Sequence, residues 1–152
     1  MTIITSPKNV IAIETAMDFD RTLESLRAEF TRCEFRILSE VDFSHELDSH
    51  IGLSASNYAI LIVWHAFSAY QALLSDLNGG LMVPFNVAVY QKVGVTTVSV
   101  LLQPSLTPKA SLGIRALGHD LNRRVRDVFL RLGTHEQQGS PGRASHASSA
   151  RR

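Results

Sequence analysis

The chain has 152 residues, 45% of them hydrophobic and 19% charged, a length suited to one domain and a composition that excludes a disordered or membrane-embedded protein. Its formal charge of +1 supplies no global attraction for nucleic acid. The single cysteine, Cys33, excludes an intrachain disulfide framework and any metal site built from several cysteines of one chain.

The opening MTIITSPKNVIAIE lacks a basic segment followed by a long apolar one. No later apolar run reaches the roughly 18 residues of a membrane span. The expected location is the cytoplasm, with no membrane contact. NVIAIETAM, Asn9 to Met17, is β-branched and apolar and reads as a strand. In DFDRTLESLRAEFTRC, Phe19, Leu23, Leu26 and Phe30 recur at spacings of three and four, one face of a helix with Asp18 as its N-cap. Cys33 reads as a small, partly buried residue near the end of this helix. Phe35, Ile37 and Val41 then share one face of a second strand, with Glu34, Arg36 and Glu40 opposite or at its ends.

DFSHELDSHIGL predicts a short helix capped by Ser44 and ended near Gly52. YAILIVW, Tyr58 to Trp64, is apolar without alternation and predicts a strand covered on both faces. FSAYQALLSDL predicts a helix with Phe67, Tyr70, Leu73, Leu74 and Leu77 on or near its buried side, broken at Asn78-Gly79-Gly80. GGLMVPFNVAVY, Gly79 to Tyr90, reads as a strand interrupted by a proline and an asparagine. QKVG and VTTVSVLLQ complete a hairpin with it, and Pro104 and Pro108 punctuate a connection. From Ile114 the residues Leu117, Leu121, Val125, Val128 and Leu132 step by three or four, an amphipathic helix with its arginines outside.

This order predicts an α+β fold, a two-layer α/β sandwich whose sheet is mainly antiparallel or mixed, with helices on one face. The Tyr58–Trp64 and Val83–Tyr90 strands would be central. A dinucleotide-binding fold is the weaker reading, because no glycine-rich loop follows the first strand. A single domain spans 1–132, with a core at 9–104 and a C-terminal helix at about 113–132. The polar tail 133–152 is expected to be disordered.

The succession FDRT, CEF, ILSEVDF, YAILIVWHAFSAYQALL, GLMVPFNVAVY and VSVLLQP, from about Met17 to Pro104, resembles the family known as domain of unknown function number three hundred and two. The resemblance implies a compact α+β domain, commonly a dimer, with no assigned reaction. Family members often show Cys-Asn-Pro after the third strand and Leu-Pro-Cys-Asn in the fourth. Here these are Trp64-His65-Ala66 and Val83-Pro84-Phe85-Asn86. Any thiol or metal chemistry resting on those cysteines is therefore closed to this chain, since indole and phenyl rings neither ligate metals nor act as nucleophiles.

Pro84 is expected to mark a bulge or bend. Asn86 then either serves a site or satisfies backbone groups freed by that bend. If the segments meet, Trp64, His65, Tyr70, Phe85 and Asn86, with Pro84, outline an apolar pocket with a few polar groups. Such a pocket suits a planar or apolar small molecule, including haem with His65 as axial ligand. The alternative is that His65 caps the following helix and the aromatics are core. The sequence itself names no cofactor.

HELDSH sets His45 and His50 five apart, off the shared helix face that a zinc hydrolase needs. No nucleophile elbow, phosphate loop or paired carboxylates appear, and an enzyme working through Asp76, His65 and Asn86 is only a residual reading. Asp120 with Arg124, and Arg123 with Asp127, can pair along a solvated helix, which argues against specific nucleic-acid binding. Two functions follow: a non-enzymatic small-ligand binding domain, or a homodimeric scaffold whose pocket Trp64 and Phe85 fill.

Overall fold

The computed structural model describes residues 2–6, 9–101 and 111–138. The elements run β1 (Thr2–Ser6), β2 (Val10–Thr15), α1 (Phe19–Arg32), β3 (Arg36–Asp42), α2 (Phe43–Ile51), β4 (Tyr58–Trp64), α3 (Ala66–Ser75), a 3-10 segment (Leu77–Met82), β5 (Phe85–Lys92), β6 (Val95–Leu101) and α4 (Leu112–Gln138). The strands form one antiparallel sheet in the order β1-β2-β6-β5-β4-β3. The fold is thus an α+β sandwich. β5 and β6 occupy the centre, and β4 lies one place from the β3 edge.

One face of the sheet is the core. Ile11, Ile13, Leu61, Val63, Val87, Val89, Val98 and Val100 are buried there beneath Leu26 and Phe30 of α1 and Leu121, Val125, Val128 and Leu132 of α4. The period-two pattern of the strands meets the 3.6-residue pattern of the helices, so each element buries one side. β4 was expected to be covered on both faces, but Tyr58, Ile60, Ile62 and Trp64 are only half-buried, alternating with buried Ala59, Leu61 and Val63. Helices cover the face of Leu61 and Val63, and the other face stays half-exposed, with Phe43 of α2 against Tyr58 at one end.

Local chemistry explains the element ends. Asp18 caps α1 by accepting from Arg21 N at 2.8 Å, and a forked ion pair from Arg27 to Glu40 ties α1 to β3. Asp42, not Ser44, caps α2, accepting from His45 N at 3.0 Å. The helix begins directly at the end of β3, which leaves Ser44 to bridge Ser56 O and Tyr58 N instead. Gly52 ends α2 at φ 65°, where glycine carries no Cβ penalty. Val93 and Gly94, both at positive φ, make the two-residue turn that joins β5 to β6.

Four further expectations are corrected. The shared face of Phe35, Ile37 and Val41 is broken by a bulge between Ile37 and Ser39. Past it Val41 pairs with Ile60 on the open face, while Glu40 pairs with Leu61 and reaches Arg27, because one extra residue reverses the alternation. The strand expected from Gly79 begins only at Phe85, since Gly79 to Met82 belong to the 3-10 segment. Pro84, preceded by a cis peptide bond, stands just outside the ladder, and the β4–β5 register runs without a bulge. The C-terminal helix continues to Gln138. The Pro104 and Pro108 connection and the tail from 139 onward lie outside the described residues.

The largest correction concerns α3. Its buried residues are Ser68, Ala69 and Ala72, whereas Phe67, Tyr70, Leu73, Leu74 and the following Leu77 are exposed. α3 packs on α4 and the 3-10 segment rather than on the sheet. Its small residues allow that close approach, and the large ones are turned outward.

Candidate functional site

His65 is the N-cap of α3. Its Nδ1 accepts from Ser68 N at 3.2 Å and lies 2.7 Å from Ser68 Oγ, and the residue is only 4% exposed. Its ring lies 5.1 Å from that of Phe35, which meets Phe85 at 5.9 Å and Phe30 at 5.4 Å. Burial first, and then the charge of Arg124, hold its pKa below the ordinary histidine value, against smaller opposing effects of Glu34 and Asp120. Protonation would also place a hydrogen on Nδ1, where the Ser68 backbone donor already points.

Linkage gives the sign. Unfolded His65 takes up a proton near pH 6.5 while the folded residue resists it, so stability is complete above that pH and declines as the solution is acidified. The expected decline is at most about 1.4 kcal/mol per pH unit for one proton. His65→Asn retains a capping oxygen without titrating and is expected to flatten this part of the profile. Chemical denaturation between pH 7.5 and 5 checks it, and an unaltered slope in the variant would assign the loss to other groups.

The structure joins His65 to Phe85 through Phe35 but does not gather the other expected pocket residues around them. Asn86 pairs with Ile62 on the open face, where strand alternation also puts Trp64. Pro84 and Asn86 are exposed, and Asn86 makes no side-chain hydrogen bond among the described residues. Tyr70 is on the solvent side of α3. The sheet itself therefore separates the two halves of the outlined pocket. Haem does not fit this arrangement, because the ring is buried and, with Nδ1 accepting from Ser68 N, the neutral imidazole carries its proton on Nε2, the atom that iron would need.

The catalytic alternative finds no assembly either. Asp76 caps the 3-10 segment by accepting from Asn78 N at 2.8 Å, at the opposite end of α3 from His65, about 15 Å along a helix of this length. On α2, His50 bonds within its own turn to Glu46 and Ser49, and no cluster of three or more metal-ligating side chains occurs among the described residues. Cys33 is the C-cap of α1. Burial pushes its thiol pKa up, away from nucleophilic use.

A concavity of ligand size lies elsewhere, between α3 and α4. This groove of about 580 Å³ is lined by Phe67, Gln71 and Leu74 from α3 and by Ala116, Leu117 and Arg124 among others from α4. Its size is within the roughly 300–1,000 Å³ of small-ligand sites. At its polar end Asp120 accepts from Arg124 Nε at 2.7 Å and from Arg123 at 2.5 Å. Arg123 thus pairs with Asp120, three residues away, rather than with Asp127 as expected. Burial alone would raise the Asp120 carboxyl, but the hydrogen bonds and charges of Arg124 and Arg123 hold its pKa below the ordinary value. Helical periodicity places Phe67 and Leu74 in the core and Arg124 on a solvated face, whereas all three line this groove.

No helix among the described residues is long and apolar enough to cross a membrane. Comparison with known proteins agrees with the fold. The crystal structure of an uncharacterized conserved protein DUF302 from Bacillus stearothermophilus superposes with a TM-score of 0.76 at 18% identity, over 82% of this chain and 98% of that one. No curated protein shows significant similarity. Residues 11–129, well over half of the chain, match the family described as Domain of unknown function DUF302; the protein is a member of the DUF302 family.

Proposed function

We propose that this domain is a non-enzymatic, cytoplasmic binding protein for a small apolar or planar ligand, held in the groove between α3 and α4. The observation that carries the reading is the outward turn of α3, which leaves Phe67 and Leu74 60% and 69% exposed along that groove. Exposed apolar side chains beside a concavity of ligand size are costly unless something covers them. The groove replaces the Trp64 to Asn86 pocket as the ligand's place, since the sheet divides that pocket.

Nile red, a neutral apolar dye, tests this. Its fluorescence is expected to rise on addition of the protein and to saturate at one dye per chain. Ala116→Trp, which fills the groove from an exposed position of α4, is expected to abolish the rise. An equal rise in that variant would place the dye elsewhere and overturn the reading.

A second reading, the homodimeric scaffold, is favoured by Leu77, Leu81 and Leu112, which are 83%, 86% and 79% exposed. A second copy seated over them would bury this corner. Sedimentation of the same samples separates the two readings. A monomer at every concentration excludes the scaffold, and a dye-free dimer that takes up no Nile red favours it.

A further inference from the structure

We infer that the ligand of the α3–α4 groove is an anionic amphiphile, with its apolar body against Phe67, Leu74 and Leu117 and its acidic head on Arg124. This rests on the binding reading above and adds the chemistry of the ligand. Along α4, Leu117, Asp120, Arg124 and Arg131 follow one another at steps of three, four and seven, so they share one side of the helix. The surface therefore passes from apolar to charged along a single line, with Arg124 next to the groove and Asp127 between it and Arg131.

Arg124 is the junction. It lines the apolar groove and also a neighbouring depression of about 310 Å³ that includes Arg32, Cys33, Glu34, Asp127 and Arg131. Its Nε is held by Asp120 and its side chain is 33% exposed, and its terminal nitrogens make no hydrogen bond among the described residues. A guanidinium with five donors, anchored through one, presents the rest as a fork matched to a carboxylate or phosphate. Asp120 cannot repel such a head strongly, because its two oxygens are taken by Arg123 and Arg124. At the groove end the two guanidiniums and one carboxylate leave one positive charge in excess, while Glu34 and Asp127 line the neighbouring depression and not the groove. A cationic head would be repelled there, and a neutral one would accept only the weaker, uncharged hydrogen bonds.

Isothermal titration of the full chain with decanoate and with decanol, both below micelle formation, tests the assignment. Decanoate is expected to bind about tenfold more tightly, and added salt is expected to erase the difference without weakening decanol. Arg124→Gln should bring decanoate down to the level of decanol while Nile red uptake persists. If that variant is unfolded by circular dichroism, Arg124→Lys, which keeps the charge but loses the fork, should retain only part of the preference.

Equal binding of decanoate and decanol with Nile red still taken up would overturn the anionic head and leave the groove reading standing. A preference that survives Arg124→Gln would likewise overturn it. Loss of all three ligands in the wild type would instead remove the binding reading itself. Co-sedimentation with phosphatidylglycerol vesicles without decanoate uptake would overturn the free amphiphile in favour of a membrane surface.

Discussion

Replacing Phe35 by alanine is expected to lower the free energy of unfolding by about 3–5 kcal/mol. The residue is 4% exposed and its ring meets three others, edge-on to Phe30 and Phe85 and tilted against His65. Truncation removes the transfer energy of a whole phenyl group and leaves a cavity that these rings cannot easily close. Phe35 also stands where α1 ends and β3 begins, its N–H donating to Phe30 O at 2.9 Å, so the loss falls on the junction that seats His65. Phe35→Leu keeps most of the volume and is expected to cost less than about 1.5 kcal/mol. Urea unfolding of both variants, compared at constant slope, measures the difference. An alanine variant that loses no more than the leucine one would show that the cluster collapses around the gap and is not a rigid support.

Gly79→Ala is expected to destabilise by about 1–3 kcal/mol, although it changes a single hydrogen to a methyl group. A Cβ at Gly79 would come within 2.5 Å of Ala72 O and 3.1 Å of Ile114 Cδ1. Ala72 O is backbone at the end of α3, already accepting from Asp76 N, and it cannot give way as a side chain would. Relief requires the 3-10 segment to lift from α3, which pulls on buried Met82 and Val83 at the entry to β5. Gly80→Ala is the control. There the nearest atom is the end of the flexible Leu73 side chain at 3.2 Å, and the expected cost is within about 0.5 kcal/mol. Thermal unfolding of the two variants should therefore separate them clearly. Equal melting temperatures would mean that the contact between α3 and the 3-10 segment yields without cost.

The candidate site was the part least legible in the sequence. Phe67, Leu73, Leu74 and Leu77 recur at helical spacing, and helical spacing of large apolar residues normally marks the buried side. Here α4 already covers the sheet, so α3 has only α4 and the 3-10 segment to pack on, and close approach selected Ser68, Ala69 and Ala72. The run of small residues was the available signal, but small residues on a helix are common, and propensity explains them equally well. The pairing of Arg124 with Asp120 is legible in the sequence, but its place on the groove is not. Nothing in a helical repeat tells which neighbouring helix will form the other wall of a groove.

β1 shows a smaller gap of the same kind. TIITS followed by Pro-Lys-Asn and VIAIE is two β-branched runs around a turn signal, but an edge strand of five residues carries too little alternation to declare itself. The bulge in β3 was equally silent, since one inserted residue leaves composition and apolar spacing almost unchanged while exchanging the faces of Glu40 and Val41.

By itself the sequence determined the order of the central strands and helices, the Asp18 and Gly52 helix ends, the β5–β6 hairpin and the amphipathic stripe of α4. These follow from local periodicity and from backbone preferences that act within a few residues. Only the tertiary structure decided which side of α3 is buried, which face of the sheet stays open, and that Asn86 and His65 lie on opposite sides of it. Those outcomes depend on which surfaces meet across distant parts of the chain. A contact between two elements is a property of both, and it is written in neither alone.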